Sequence, residues 1–188
     1  DFVTSMIARE DPVLRAIREE TPAKGLPPIS IGPDKGRLLH FLVSACRAKT
    51  IVEVGTLAGY SACWMARALP EGGTLHTIEY DPKHAAVAKD NVARAGLEKK
   101  ITVHGGAGMD VLPKLSAQGP FDLCFIDADK TGYAGYARWA AENVRSGGFV
   151  ICDNAYLFGQ LHRDDLPPGH DDAPKVAPMR AALKLLTD

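Results

Sequence analysis

The feature that most constrains this chain is an alternation that begins at Thr50. Short apolar runs (Ile51-Val52-Glu53-Val54, Thr74 to Tyr80, Ile101 to His104, Phe121 to Ile126, Gly148 to Cys152) are separated by stretches of helical length. Strands alternating with helices at this spacing imply βαβ units and a parallel sheet. The runs are apolar almost throughout, as strands are when helices cover both faces. The expected fold is therefore α/β, a mostly parallel sheet with helices on both faces.

The helices between the runs carry their own signals. Residues 60–69 read as a helix stopped by Pro70, Gly72 and Gly73. Asp81-Pro82 opens the next, an N-cap followed by a proline in the first turn, and Gly96 lies just past its end. Residues 108–116 are expected to be helical despite Pro113, 131–145 form a further helix, and 174–186 form the last, after a polar loop over 155–172. Upstream, the first 20 residues look helical, with Asp11-Pro12 as a start signal. The segment from Thr21 to Pro28 holds three prolines and a glycine and is neither helix nor central strand. A helix over 33–47 is expected to present Leu38, Leu39, Leu42 and Val43 as its apolar stripe. At 188 residues the chain reads as a single domain, 1–188, with 1–48 a helical extension on a core of 49–188.

Composition removes whole classes of function. The chain is 46% hydrophobic and 24% charged, which excludes disorder as its main state. Net charge is -1 and neither half is basic, so nucleic acid is not the expected partner. No membrane partner is expected, because no run approaches the roughly 18 apolar residues of a span. No signal-peptide pattern opens the chain. The four cysteines form no C-x-x-C pair, and Cys124 and Cys152 sit inside apolar runs as core thiols, which points to a reducing, cytoplasmic compartment.

In parallel α/β sheets ligands bind beyond the carboxyl ends of the strands. Here those ends collect acids and glycines. Glu53-x-Gly55-x-x-x-Gly59 is a glycine loop between strand and helix. It suits close approach of a ligand to the backbone, and equally a tight strand–helix turn. It matches neither the dinucleotide fingerprint nor a P-loop. Glu79 ends the second strand, where a carboxylate can accept both hydroxyls of a ribose or serve as a cap. Asp127, Asp153 and Asn154 end two strands expected to be neighbours. Two carboxylates and an amide oxygen suit Mg²⁺, Ca²⁺ or Mn²⁺ rather than zinc, while Asp-Asn after a strand is also turn chemistry. Lys130 stands three residues after Asp127 as a candidate base or a solvated side chain. Tyr133, Tyr136 and Trp139 fall at helical spacing and read as packing. The six histidines read as surface or structural residues.

Taken in order, Glu53-Val54-Gly55 with Gly59-Tyr60-Ser61, Phe125-Ile126-Asp127-Ala128-Asp129-Lys130 and Cys152-Asp153-Asn154 resemble the cation-dependent O-methyltransferases that use S-adenosylmethionine. The likeness is to the bacterial and caffeoyl-CoA type and, more distantly, to catechol O-methyltransferase. It runs from about Ile29 to Asn154 and weakly beyond. It implies a Rossmann-like class I methyltransferase, and places Ile31 and Glu53, with the backbone of Gly55 and Thr56, at the methionine end of the cofactor. By the same resemblance Ser61 bonds the cofactor carboxylate, Glu79 clamps the ribose, and Ala107 and Gly108 lie along the adenine. Asp127, also against the cofactor, would bind the divalent cation with Asp153 and Asn154, and Lys130 would act as base on a catechol-like small molecule. A homodimer is the family's expectation. Ile29 stands where relatives often have methionine. The family's sheet continues with two more strands, the last antiparallel, and the sequence shown here stops short of them. A nucleotide-cofactor oxidoreductase, a non-catalytic S-adenosylmethionine-binding module, and a methyltransferase acting on RNA or protein are the competing readings.

Overall fold

A single sheet of five strands organises the chain: β1 (Thr50–Val54), β2 (Thr74–Glu79), β3 (Ile101–Gly105), β4 (Phe121–Ile126) and β5 (Val144–Cys152). A computed structural model describes residues 2–167 and 169–187. The strand order is β3-β2-β1-β4-β5, and every pairing is parallel. The direction of winding therefore reverses between β1 and β4, which opens a crevice beyond their carboxyl ends.

Period-two alternation along the strands feeds two separate cores. Ile51, Leu75, Leu123 and Phe125 point to one face, where α3 (Pro33–Ala45) and α4 (Tyr60–Ala68) pack through Leu39, Val43 and Met65. Val52, Val54, Ile78, Cys124 and Ile126 point to the other. There α6 (Gly108–Leu115), α7 (Tyr133–Asn143) and α8 (Ala173–Thr187) bring in Leu112, Tyr136, Ala137 and Met179. Each fully buried aliphatic or aromatic side chain of this kind contributes about 1.5–3 kcal/mol relative to exposure. The remaining helices are α1 (Phe2–Ile7), α2 (Pro12–Glu20) and α5 (Pro82–Arg94).

Local signals act as the sequence predicts at several joints. Asp81 caps α5, its Oδ1 accepting from Lys83 N at 2.7 Å and His84 N at 3.2 Å. Asp11 caps α2 in the same way through Val13 N and Leu14 N, both at 2.9 Å. Four expectations need correction. The first 20 residues form two helices rather than one, because Asp11-Pro12 starts a new one. The α3 stripe is narrower than predicted: Leu39 and Val43 are buried, but Leu38 faces solvent. Helix α7 is shorter than the predicted 131–145, because Asp129 takes the turn before it and Val144 is already extended. Strand β5 begins at Val144, ahead of the glycine pair. A register shift between Phe121 and Leu123 sets the four residues Arg145 to Gly148 opposite Asp122 alone, and Asp122 holds Arg145 at 2.6 Å. Among the described residues no helix is long and apolar enough to cross a membrane.

Candidate active site

The strand ends that the sequence singles out do converge. Ladder hydrogen bonds carry the chain one step past each strand: Gly55 N donates to Ile78 O at 3.0 Å, Asp127 N to Val54 O at 2.9 Å, and Asp153 N to Ile126 O at 2.9 Å. This fixes Gly55, Asp127 and Asp153 side by side along the crevice. The crevice is a cavity of about 1130 Å³. Thr56, Ser61, Glu79, Ala107 and Gly108, at or after the ends of β1, β2 and β3, line it on one side of the switch point, and Asp127, Lys130, Asp153 and Asn154, after β4 and β5, on the other, with Ile31 and Phe158 also in its wall.

Gly55 is required by packing as well as by any ligand. Its φ is +101°, and a Cβ there would lie 2.0 Å from the backbone carbonyl oxygen of Asp127. Only a residue without a side chain lets β1 turn out of the sheet this close to the end of β4.

Glu79 is buried and ties the glycine loop to the sheet. Its Oε2 accepts from Leu57 N at 2.7 Å and Thr56 N at 3.2 Å, and Oε1 accepts from Asp81 N at 2.9 Å. His84 Nδ1 lies 3.6 Å from the same Oε1. Glu53 is fully buried on the face of β1 and lies outside the cavity wall. Ser61 Oγ and Thr77 Oγ1 each donate to one of its oxygens at 2.5 Å, and Thr77 is in turn hydrogen-bonded to Thr56. Burial pushes the Glu53 carboxyl up to about 8, against the opposing pull of the two hydroxyls. Glu53 thus reaches the cavity through Ser61 and through the Thr77–Thr56 pair.

On the other side of the switch point two carboxylates stand on adjacent strands. Burial raises the Asp127 carboxyl above the usual range, opposed by Lys130 and reinforced by the like charge of Asp153. Two lysines answer this negative charge. Lys130 Nζ lies 3.4 Å from Asp127 Oδ1 and donates to Ala128 O at 3.1 Å and to the Tyr133 hydroxyl at 2.6 Å. Lys35, from the first turn of α3, spans the Asp153 carboxylate at 3.0 and 3.3 Å. Tyr133 is buried in α7, and burial holds its phenol far above the usual value. Its hydroxyl lies 2.9 Å from Asp153 O and 3.0 Å from Ile126 O, so its one proton is shared between the ends of β4 and β5. Asp129 is occupied locally, accepting from Gly132 N at 2.8 Å and from the Tyr136 hydroxyl at 2.6 Å.

A sequence profile described as O-methyltransferase matches residues 4–184. The chain belongs to the O-methyltransferase family. It is 45% identical over 162 residues to a catechol O-methyltransferase of Niastella koreensis, covering 85% of this chain and 73% of that protein. A catechol O-methyltransferase of Mycobacterium tuberculosis is 39% identical over 179 residues, covering 95% and 79%. Among solved structures, the O-methyltransferase from Bacillus cereus in complex with SAH superposes with a TM-score of 0.91 at 33% identity, covering 98% of this chain and 82% of that one.

In this O-methyltransferase the predicted residues thus fall into two groups along one cavity, with Gly55 and Asp127 at the seam. Among the described residues no three His, Cys, Asp or Glu side chains gather into a metal cluster. The candidate cation set has two carboxylates and depends on the Asn154 amide for a third oxygen. That set fits a hard, oxygen-loving divalent ion: neighbouring carboxylates share a low-dielectric strand end and draw positive charge from two lysines. Sequence reasoning passed over Lys35, Thr77 and the polar role of Tyr133. Lys130 and Tyr133 are only three apart, across the turn that leads into α7, a closeness in sequence that could have been read. Lys35 and Asp153 lie far apart in sequence, and no local pattern joins them.

Proposed function

We propose that this chain transfers a methyl group from S-adenosylmethionine to a hydroxyl of a catechol-like small molecule, with a divalent cation (Mg²⁺, or Mn²⁺ or Ca²⁺) at Asp127, Asp153 and Asn154. The observation that carries this reading is the arrangement of one cavity. It has the glycine loop, Ser61 and Glu79 on one side of the switch point, and the paired carboxylates with Lys130 on the other. The names of the two catechol O-methyltransferase relatives and the SAH in the Bacillus cereus structure support it.

In this reading Glu79 takes the ribose with the lone pairs that the loop amides leave free. Ser61, held by Glu53, and the backbone of Gly55 and Thr56 take the methionine end beside Ile31. Ala107 and Gly108, at the start of α6, lie along the adenine. The cofactor supplies a methyl group on a positively charged sulfur. A divalent cation supplies a double positive charge that lowers a phenol pKa and favours two vicinal oxygens. Lys130 in its neutral amine form takes the acceptor hydroxyl proton at Nζ, and Asp127 and the Tyr133 hydroxyl hold the resulting ammonium at the ends of β4 and β5. The walls contribute orientation, which replaces a costly encounter in solution. Phe158, on the loop after β5, stands three-quarters exposed at the mouth as an aromatic surface for the acceptor.

We read the whole of 1–188 as one methyltransferase domain with 1–48 as its helical extension, working in the cytoplasm as a homodimer. Four free cysteines support a reducing compartment. Exposed Phe2, Met6 and Ile7 on α1 and Leu38 and Phe41 on α3 support a self-association surface.

The test is a comparison of acceptors. Methyl transfer from labelled S-adenosylmethionine is measured on a catechol and on the matching phenol with one hydroxyl removed, in Mg²⁺. The catechol is expected to react about 100-fold faster or more, because a site built for two oxygens leaves polar groups unpaired when one is missing. Equal rates on the two acceptors would reject a catechol site.

A further inference from the structure

The Lys35–Asp153 contact has no role in the reading above. The ammonium lies 3.0 Å from one oxygen of the carboxylate and 3.3 Å from the other, so it spans both. The Asp153 side chain is 16% exposed and that of Lys35 is 50% exposed. The lysine comes from α3, directly after the segment in which Ile31 and Gly32 line the cavity. The carboxylate comes from the far side of the switch point. A divalent ion on Asp153 needs at least one of these oxygens, and its double charge repels an ammonium at contact distance. Half in water on a flexible stem, Lys35 loses little by moving off.

We propose that Lys35 is a built-in competitor at the cation site: its ammonium and a divalent cation take the Asp153 carboxylate in alternation, and the lysine thereby sets the cation affinity. The proposal rests on the cation reading of Asp127, Asp153 and Asn154. It also gives the cation a mechanical consequence. When the ion takes Asp153, the tie between α3 and the end of β5 is released, next to the wall formed by Ile31 and Gly32.

The experiment titrates Mn²⁺ into the wild type, Lys35→Met, Lys35→Arg and Asp153→Asn with S-adenosylhomocysteine present, reading free Mn²⁺ by electron paramagnetic resonance. Exposed ion pairs are worth little, and the residual repulsion adds to them, so Lys35→Met is expected to bind Mn²⁺ about fivefold tighter than wild type. Lys35→Arg, which keeps the charge, is expected to stay within about twofold. Wild-type or weaker affinity in Lys35→Met overturns the proposal, as does equal tightening in both lysine variants. Loss of binding in Asp153→Asn alongside such a result leaves the cation reading standing. Failure of every protein to bind Mn²⁺ overturns the cation reading and the proposal with it.

Discussion

Asp153→Ala is expected to lower the rate of methyl transfer in saturating Mg²⁺ and S-adenosylmethionine about a thousandfold, since a catalytic cation supplies several kcal/mol of charge stabilisation. Affinity for S-adenosylhomocysteine, read by calorimetry, is expected to change by less than about threefold, because the proposed roles assign Asp153 to the cation and none of the cofactor's contacts to its side chain. The separation follows from the strand ends. Asp153 follows β5 and faces Lys35 and the neighbouring Asp127, whereas Glu79 and Ser61 line the cavity on the other side of the switch point. The substitution should leave the fold intact, because Tyr133 bonds the backbone carbonyl of Asp153 and not its side chain. A parallel loss of S-adenosylhomocysteine affinity would contradict this division of the cavity.

The largest effect on stability is expected at Gly55. Gly55→Ala places a methyl group 2.0 Å from the Asp127 carbonyl oxygen at a φ of +101°. Strain from the positive φ and overpacking against backbone that cannot give together cost about 3–5 kcal/mol. For a chain of this size that is a fall in Tm of roughly 8–15 °C. Gly72 provides the control. Its φ is +72°, but a Cβ there meets nothing within 4 Å. Gly72→Ala is therefore expected to cost only the backbone strain, about 1 kcal/mol. Equal melting temperatures for the two variants would show that φ alone, and not the approach of β1 to β4, requires the glycine.

Much of the architecture was legible because both of its determinants are local. Continuous apolar runs bounded by glycines and prolines marked the strands, and Asp81-Pro82 and Asp11-Pro12 marked helix starts through capping chemistry that acts within one turn. The start of β5 was not legible. The sequence pattern carries the helix to 145 and starts the strand at Gly148, but Arg145 is anchored by Asp122 and a register shift lets the strand begin at Val144. The site was legible to the extent that strand ends predict it. What the sequence could not convey was depth and pairing across the fold. Glu53 looks like any acid at the end of a strand, yet its neighbours on β2 and α4 bury it completely and occupy both its oxygens. Glu79 has the same appearance and stands at the cavity wall. The answering charge on Asp153 comes from Lys35, a contact made only once α3 packs beside the sheet.

The proposed transfer to a catechol depends on a divalent cation at Asp127, Asp153 and Asn154. The most direct measurement is transfer of labelled methyl from S-adenosylmethionine to a catechol with Mg²⁺ present, after EDTA, and after Mg²⁺ is restored in excess. Transfer is expected with Mg²⁺, with a fall of at least about a hundredfold in EDTA and recovery when Mg²⁺ is restored. Transfer that continues unchanged in EDTA would contradict that dependence.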